Sequence, residues 1–273
     1  MKIKLATWNI NSVRSRLALN KQFVETYEPD VLCLQEIKCA NGSFPTKMFR
    51  TLGFEHIALN GQKAYHGVAT LSRIPMEQTE ARDFNGSGDA RHVAVRLTAP
   101  GADDVVLHNF YVPAGGDLPD ETKNPKFGQK LDYLRSMARW GKAKRDKQTS
   151  RMILVGDLNV APLETDVWSH KQLLKVVSHT PIEVEHMQAV QSAHDWVDIM
   201  RRHVPPEEKL FTWWSYRARD WRASNRGRRL DHVWVTPALG DASLDLKVID
   251  EARDWERPSD HVPVLASFDL TAR

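Results

Sequence analysis

The chain has 273 residues, 41% apolar and 27% charged, a make-up that leaves room for a sizeable core and excludes a disordered or collagen-like chain. Its net charge of +3 permits an anionic partner without requiring one. Two cysteines without a CxxC or a Cys–His cluster argue against a disulfide framework or a zinc site, and with no signal-peptide pattern and no run of about eighteen apolar residues the expected setting is a reducing cytoplasm, off the membrane.

Residues 2–8 alternate, with Ile3, Leu5 and Thr7 on one side, and predict a strand ending at Trp8 and Asn9. Residues 13–28 carry Leu17, Phe23, Val24 and Tyr27 at roughly helical spacing and stop before Pro29, as a helix end should. Residues 31–34 read as a buried strand running into Gln35 and Glu36, and 41–54 as loop and short helix. Further strands are expected over 65–71 and 92–97, separated by turn sequence around Asn85-Gly86-Ser87-Gly88, and over 104–112. Phe127, Leu131, Leu134 and Ala138 mark one face of a long amphipathic helix, whose basic tail over 139–151 reads as a solvated helix end.

Met152, Ile153, Leu154 and Val155 then form a short apolar run followed by Gly156, Asp157 and Asn159. If the segment stays extended, Asp157 and Asn159 share a face, because strand side chains alternate. The stretch reads either as an ordinary turn or as a site, with the glycine letting a phosphate or loop approach. Residues 163–203 look mostly helical, and strands are expected over 230–235, 244–249 and 262–270. Without repeats or a linker, the chain reads as one α/β domain over residues 1–273. Its short-turned, antiparallel-looking strand pairs argue against a pure doubly wound or barrel arrangement.

Asn9, Glu36, Tyr111, Asp157 and Asp231 each lie at or near the end of an apolar strand, and Asp260-His261 immediately precedes the last one. Each alone has a structural explanation: a cap, a turn, a half-buried ring, or an ion pair of Asp231 with Arg228 or Arg229. Together they predict one polar rim. Carboxylates gathered there need a divalent cation, and an oxygen-rich set of Glu36, Asp157 and Asp260 with Asn9 and Asn159 favours magnesium or manganese over zinc. Such a set suits phosphoester hydrolysis. Asp157 takes a proton from water, helped by Asn159. His261, oriented by Asp231, donates to a phosphoryl oxygen, Glu36 and Asp260 hold the metal, and Tyr111 supplies a hydrogen bond or, as phenolate, charge.

Residues 217–229 hold six arginines interleaved with Trp221 and follow Trp213 and Trp214. Guanidinium forks suit phosphates, and flat rings stack on bases or fill the gap left by a missing one. Trp214, Arg217, Trp221, Arg226 and Arg228 are the expected DNA contacts, with Arg91, Lys123, Lys126 and Gln62-Lys63 as weaker candidates for the backbone. The alternative is a surface loop with two core tryptophans.

These residues carry a family resemblance. Thr7-Trp8-Asn9-Ile10-Asn11, Leu34-Gln35-Glu36-Ile37-Lys38, Asn109-Phe110-Tyr111-Val112-Pro113-Ala114-Gly115, Gly156-Asp157-Leu158-Asn159-Val160-Ala161-Pro162, the block from Phe211-Thr212-Trp213-Trp214 to Arg229-Leu230-Asp231, and Ser259-Asp260-His261-Val262-Pro263 occur in this order across essentially the whole chain. The chain resembles the exonuclease III / apurinic-apyrimidinic endonuclease family, of the bacterial exodeoxyribonuclease III type, within the DNase I-like endonuclease/exonuclease/phosphatase superfamily. The resemblance implies a four-layer α/β sandwich of two packed mixed sheets flanked by helices. It also implies an Mg2+-dependent (Mn2+ able to substitute), monomeric DNA repair phosphodiesterase. The implied substrates are double-stranded DNA with abasic sites, cut on their 5′ side, and damaged 3′ ends, through 3′–5′ exonuclease and 3′-phosphatase activity. By the same carry-over, Asn9, Glu36 and Asp260 match metal positions and Asp157 and Asn159 the water and phosphate pair, with Asp157, Asn159 and His261 also counted among the expected metal residues. Tyr111 matches the active-site tyrosine, and Asp231 with His261 the Asp–His pair. Ile37 in place of a more familiar threonine, and Trp213-Trp214-Ser215 in place of a Trp-Phe/Tyr-Asp run, bear on substrate preference. The competing expectations are a phosphoinositide phosphatase or sphingomyelinase-like lipid enzyme of the same superfamily, or a catalytically silent DNA-binding protein.

Overall fold

The computed structural model describes residues 1–98, 103–143 and 149–271. One six-stranded sheet runs β13 (Ser243–Val248), β14 (Val264–Asp269), β1 (Lys2–Asn9), β2 (Val31–Gln35), β4 (Val68–Ser72), β3 (His56–Asn60). The other runs β5 (Met76–Glu80), β6 (His92–Leu97), β7 (Val105–Tyr111), β8 (Met152–Asp157), β12 (Asp231–Val235), β9 (Val197–Asp198). In each sheet one central pair is parallel, β1 with β2 and β7 with β8, and the remaining neighbours are antiparallel.

Strand alternation builds the layers. Leu5 and Cys33 from one sheet meet Leu107, Val155 and Val233 from the other in the central core. On β12 the intervening Trp234 points outward, with Leu154 of β8, to a second layer under α3 (Pro125–Ala143) and α5 (Pro181–Ala193). On the far side, Ala6 and Trp8 of β1 pack with Phe23 and Val24 of α1 (Leu17–Tyr27). The arrangement is the expected four-layer α/β sandwich. Each fully buried Leu or Val contributes about 1.5–3 kcal/mol to it.

Several elements differ from the sequence reading. The helix expected over 13–28 opens as a 3-10 turn at Arg14–Arg16, and α1 proper starts at Leu17, which is exposed while Leu19 turns inward. The strand expected over 65–71 starts only at Val68. Left-handed Ala64, His66 and Gly67 occupy the preceding loop and leave Tyr65 67% exposed. Strands β3 and β5 escaped notice because edge strands need no clean apolar run. Residues 163–203 contain α4 (His170–Leu173), α5 and α6 (Ile199–His203), but a 3-10 turn, loops and β9 interrupt them. Of the basic run over 139–151, residues 144–148 lie outside the described residues.

Candidate active site

Three neighbouring strands deliver their polar ends level with one another. Across the sheet, Asp157 of β8 stands opposite Tyr111 of β7 on one side and Asp231 of β12 on the other. This register needs Gly156. Its φ is +135°, and a Cβ there would lie 2.0 Å from the Phe110 carbonyl oxygen, so a neighbouring strand, and not a phosphate, uses the space. The strand stops at Asp157, so shared strand face is not what joins it to Asn159. Asn159 turns left-handed at φ 54°, and its carboxamide folds back to Asp157 at 3.1 Å.

The other sheet contributes through Asn9 at the end of β1. Its amide donates to Asp157 Oδ2 and to Glu36 Oε1, both at 2.9 Å, and so ties the two sheets together. His261 enters from the turn before β14, paired across a β-bridge with Trp213. Its Nδ1 is 2.8 Å from Asp231 Oδ2, and its Nε2 lies 3.6 Å from Asp157 Oδ2. Thr212 Oγ1 donates to the same Asp231 oxygen at 2.6 Å, while Asp231 Oδ1 is buried without a hydrogen-bond partner. Asp231 therefore pairs with His261, not with Arg228 or Arg229.

Burial sets the electrostatics. It pushes Asp157 up to about 7, against the lowering effect of His261. Burial also opposes charge on His261, but Asp231 and Asp157 outweigh it and raise the imidazole to about 10, so the ring is cationic at neutral pH. Burial, then Glu36 and Asp157, raise Tyr111 well above its ordinary value. That makes its hydroxyl a donor, not a phenolate. Glu36 and Asp260 go the other way. Burial resists their ionisation, but Lys38 beside Glu36, and His261 with the Trp213 indole beside Asp260, hold both below the usual carboxylate range.

A divalent cation fits this set. Glu36 and Asp260 are ionised oxygen donors on one cleft of about 670 Å³, which Tyr111, Asp157, Asn159 and His261 also line. Lys38 already places an ammonium there, 2.8 Å from Glu36 Oε2 and 2.6 Å from Asn11 Oδ1, and Asn11 in turn reaches Asp260 Oδ1 at 3.1 Å. Asp157, Asp231 and His261 also offer ligand atoms within 4.8 Å of one another, but both His261 nitrogens already face carboxylates. Glu36 and Asp260 are the better cation ligands, although each of their oxygens already accepts from a neighbour: Glu36 from Asn9 and Lys38, Asp260 from Asn11 and the Trp213 indole.

A profile of the Endonuclease/Exonuclease/phosphatase family matches residues 6–261. The chain belongs to this family. Among its relatives, exodeoxyribonuclease III of Haemophilus influenzae is 30% identical over 97% of this chain and 100% of its own length. An AP endonuclease from Archaeoglobus fulgidus superposes with a TM-score of 0.88 at 30% identity, covering 98% of this chain and 99% of that one. A 3′ phosphatase from Neisseria, solved with a product DNA hairpin, gives 0.86 at 29% identity, covering 98% and 99%.

Within this family member, the expected DNA-facing residues divide. Arg217 and Arg226 are exposed and line the cleft, and Arg228 lines it half-buried, lying 5.2 Å from the Trp213 ring centre. Lys123 is exposed on the loop before α3, where it pairs with Asp120, and Lys126 and Lys63 are exposed as well. Others turn away. Trp214 is buried and bonded to Asn225, while Trp221 donates its indole N–H to Asp254, to which Arg222 is also paired. Arg91 is buried 4.9 Å beneath the Tyr111 ring and held by Asp89. Arg229 is fully buried against Asp166 and Asp198. Packing thus claims Arg229 and Trp214, and ion pairing ties exposed Arg222 to Asp254, distinctions that composition alone could not make. The sequence reading also missed Thr212, Lys38, and the wall made by Trp168, Leu173, Val176 and Val177. Lys38 and Thr212 both fall inside motifs quoted above, which was their only signal.

Proposed function

We propose that this chain is a divalent-metal-dependent DNA repair phosphodiesterase that cuts duplex DNA on the 5′ side of abasic sites. In this reading the same centre performs 3′–5′ exodeoxyribonuclease and 3′-phosphatase cleavage. The carrying observation is the Asp157–His261–Asp231 line opening onto a cleft that also holds Glu36, Asp260 and two exposed arginines. The DNA substrates named for the relatives support it.

All three reactions break a P–O3′ bond, so one geometry serves them. Asp157, poised near neutrality, takes the proton of a water whose oxygen bonds to phosphorus as the bond to O3′ breaks; O3′ leaves with the bonding electron pair and is protonated by cleft water. Asn159 holds that water or a phosphoryl oxygen. His261, protonated and fixed by Asp231 and Thr212, donates to a non-bridging oxygen where charge develops. Tyr111 donates its hydroxyl from the opposite side. Glu36 and Asp260, with Asn9, would hold Mg2+ or Mn2+, which neutralises charge on the phosphoryl oxygens. Arg217, Arg226 and Arg228 grip the backbone, which gives structure-specific rather than base-specific recognition. We read the chain as one such domain over residues 1–273, monomeric, in a reducing cytoplasm where free, buried Cys33 and Cys39 are at home.

A parallel time course with Mg2+ tests the reading, using an abasic duplex, a recessed 3′ end, a 3′-phosphate and an inositol phosphate. Cleavage of the DNA substrates with the inositol phosphate untouched is expected. Hydrolysis of the inositol phosphate alone, or binding of DNA without any cleavage, would overturn it.

A further inference from the structure

Lys130 on α3 is fully buried beneath the cleft, and its ammonium bonds backbone carbonyls of residues that line it. Its ammonium donates to the Asn159 carbonyl at 2.7 Å, to the Ala114 carbonyl at 3.3 Å and to the Glu183 carboxylate. Glu183, equally buried in the first turn of α5, accepts the backbone N–H groups of Ser178 (2.9 Å) and Thr180 (3.1 Å) and the Thr180 hydroxyl (2.6 Å). Gly115 rests directly on the lysine stem, since a Cβ there would meet Lys130 Cδ at 2.9 Å. Three cleft-lining segments therefore converge on one ion pair: Ala114 with Gly116, Asn159, and residues 176–178. The last of these also anchors Arg228, whose guanidinium donates to the Val177 carbonyl and the Ser178 hydroxyl, each at 2.8 Å.

Stability alone does not call for such a pair. Desolvating an ammonium and a carboxylate costs several kcal/mol each, and an apolar pair of similar volume serves a core as well. What the charges add is direction. Asn159 sits in a left-handed conformation that a side-chain-bearing residue resists, and its peptide is clamped at both ends, the N–H by Asp157 Oδ1 at 3.0 Å and the carbonyl by Lys130.

We propose that Lys130, with Glu183 as its counter-ion, is a positioning residue for the reaction: it aims Asn159 at the scissile phosphate and, through Glu183, sets the 176–180 wall that carries Arg228. The inference rests on the role given above to Asn159. Lys130→Met lowers kcat on the abasic duplex by about 10²-fold while KM moves little, as expected when a reacting group is misplaced by about an ångström. In an Asn159→Ala background the same substitution changes kcat less than about twofold, because its effect passes through Asn159. Lys130→Met/Glu183→Gln leaves no uncompensated charge, so it folds, and it shows the same kcat loss. Amide exchange over residues 157–163 and 174–180 rises in that double variant and supplies a readout that needs no turnover. A folded double variant with unchanged kcat, losses that multiply with Asn159→Ala, or unchanged exchange in both segments would overturn the proposal. If the unaltered protein fails to cleave DNA, the activity reading falls and the exchange experiment still decides the positioning.

Discussion

Two buried clusters of carboxylates lie on opposite faces of β12, and they are built to opposite ends. On one side Asp166 and Asp198 face Arg229 and Arg201: Arg229 forks onto Asp166 at 2.7 and 3.0 Å and reaches Asp198 at 2.7 Å, while Arg201 takes Asp166 at 2.5 Å. Two negative charges meet two positive ones. On the other side Glu36, Asp157, Asp231 and Asp260 share only Lys38 and His261, and Asp231 keeps an unpartnered buried oxygen. Neighbours on a single strand serve the two sides, with Asp231 turned to the cleft and His232 to the arginines. A cluster that balances its own charge is scaffold. One that keeps a surplus at a cleft is set up to take a cation and an anionic substrate together.

Removing a charge on each side should separate the two. Asp231→Asn unseats His261 and is expected to lower the cleavage rate by about 10²–10⁴-fold in steady-state assays. Stability in a denaturant melt should fall less than on the scaffold side, because His261 keeps Asp157 as a counter-ion. Asp166→Asn should do the reverse. It leaves Arg229 on Asp198 alone and Arg201 on only the Thr165 hydroxyl and the Pro205 and Glu208 carbonyls, and should cost about 3–5 kcal/mol in denaturant unfolding, with the rate of the folded enzyme unchanged. Equal effects from the two substitutions would erase the distinction.

A smaller effect distinguishes the scaffold side by pH. Burial, then Arg229, holds His232 at about 3 in the folded protein, and its Nε2 faces the Val160 carbonyl at 2.9 Å. The unfolded ring titrates near 6.5, so the neutral ring favours the folded state fully above about pH 6.5. That contribution is lost by about 1.4 kcal/mol per pH unit as pH falls from there toward 3. Over the same window Asp157, raised to about 7, gains stability as pH falls and offsets His232. Melting curves between pH 7 and 5 should therefore be nearly flat in the unaltered protein, while His232→Gln should become more stable as pH falls. Smallest is the rim. Arg226→Ala should weaken DNA binding uniformly across sequences and reduce the salt slope by about one, read by titration at several salt concentrations.

Much of this contrast was legible in the residues. Central strands announce themselves as apolar runs, so β1, β2, β6, β7, β8, β12 and β14 appeared where they were expected, and the polar group at or beside one end of all of these but β6 marked the cleft. The edge strands β3 and β5 and the 3-10 start before α1 carried no such signal. Side-chain direction was the other blind spot. Arg228 and Arg229 are adjacent in sequence, yet one lines the cleft and the other is sealed in the core. Only the partners Asp166 and Asp198, 63 and 31 positions away, decide which is which.

Asp157 remains the residue on which the account turns, being level with Tyr111 and Asp231, bonded to Asn9 and Asn159, and facing His261. The most direct measurement compares cleavage of an abasic duplex by the unaltered protein and by folded Asp157→Asn, each in Mg2+ and in EDTA. Incision is expected only from the unaltered protein with Mg2+, stopped by EDTA and restored by added metal. Near-normal incision by Asp157→Asn, or full activity in EDTA, would contradict it.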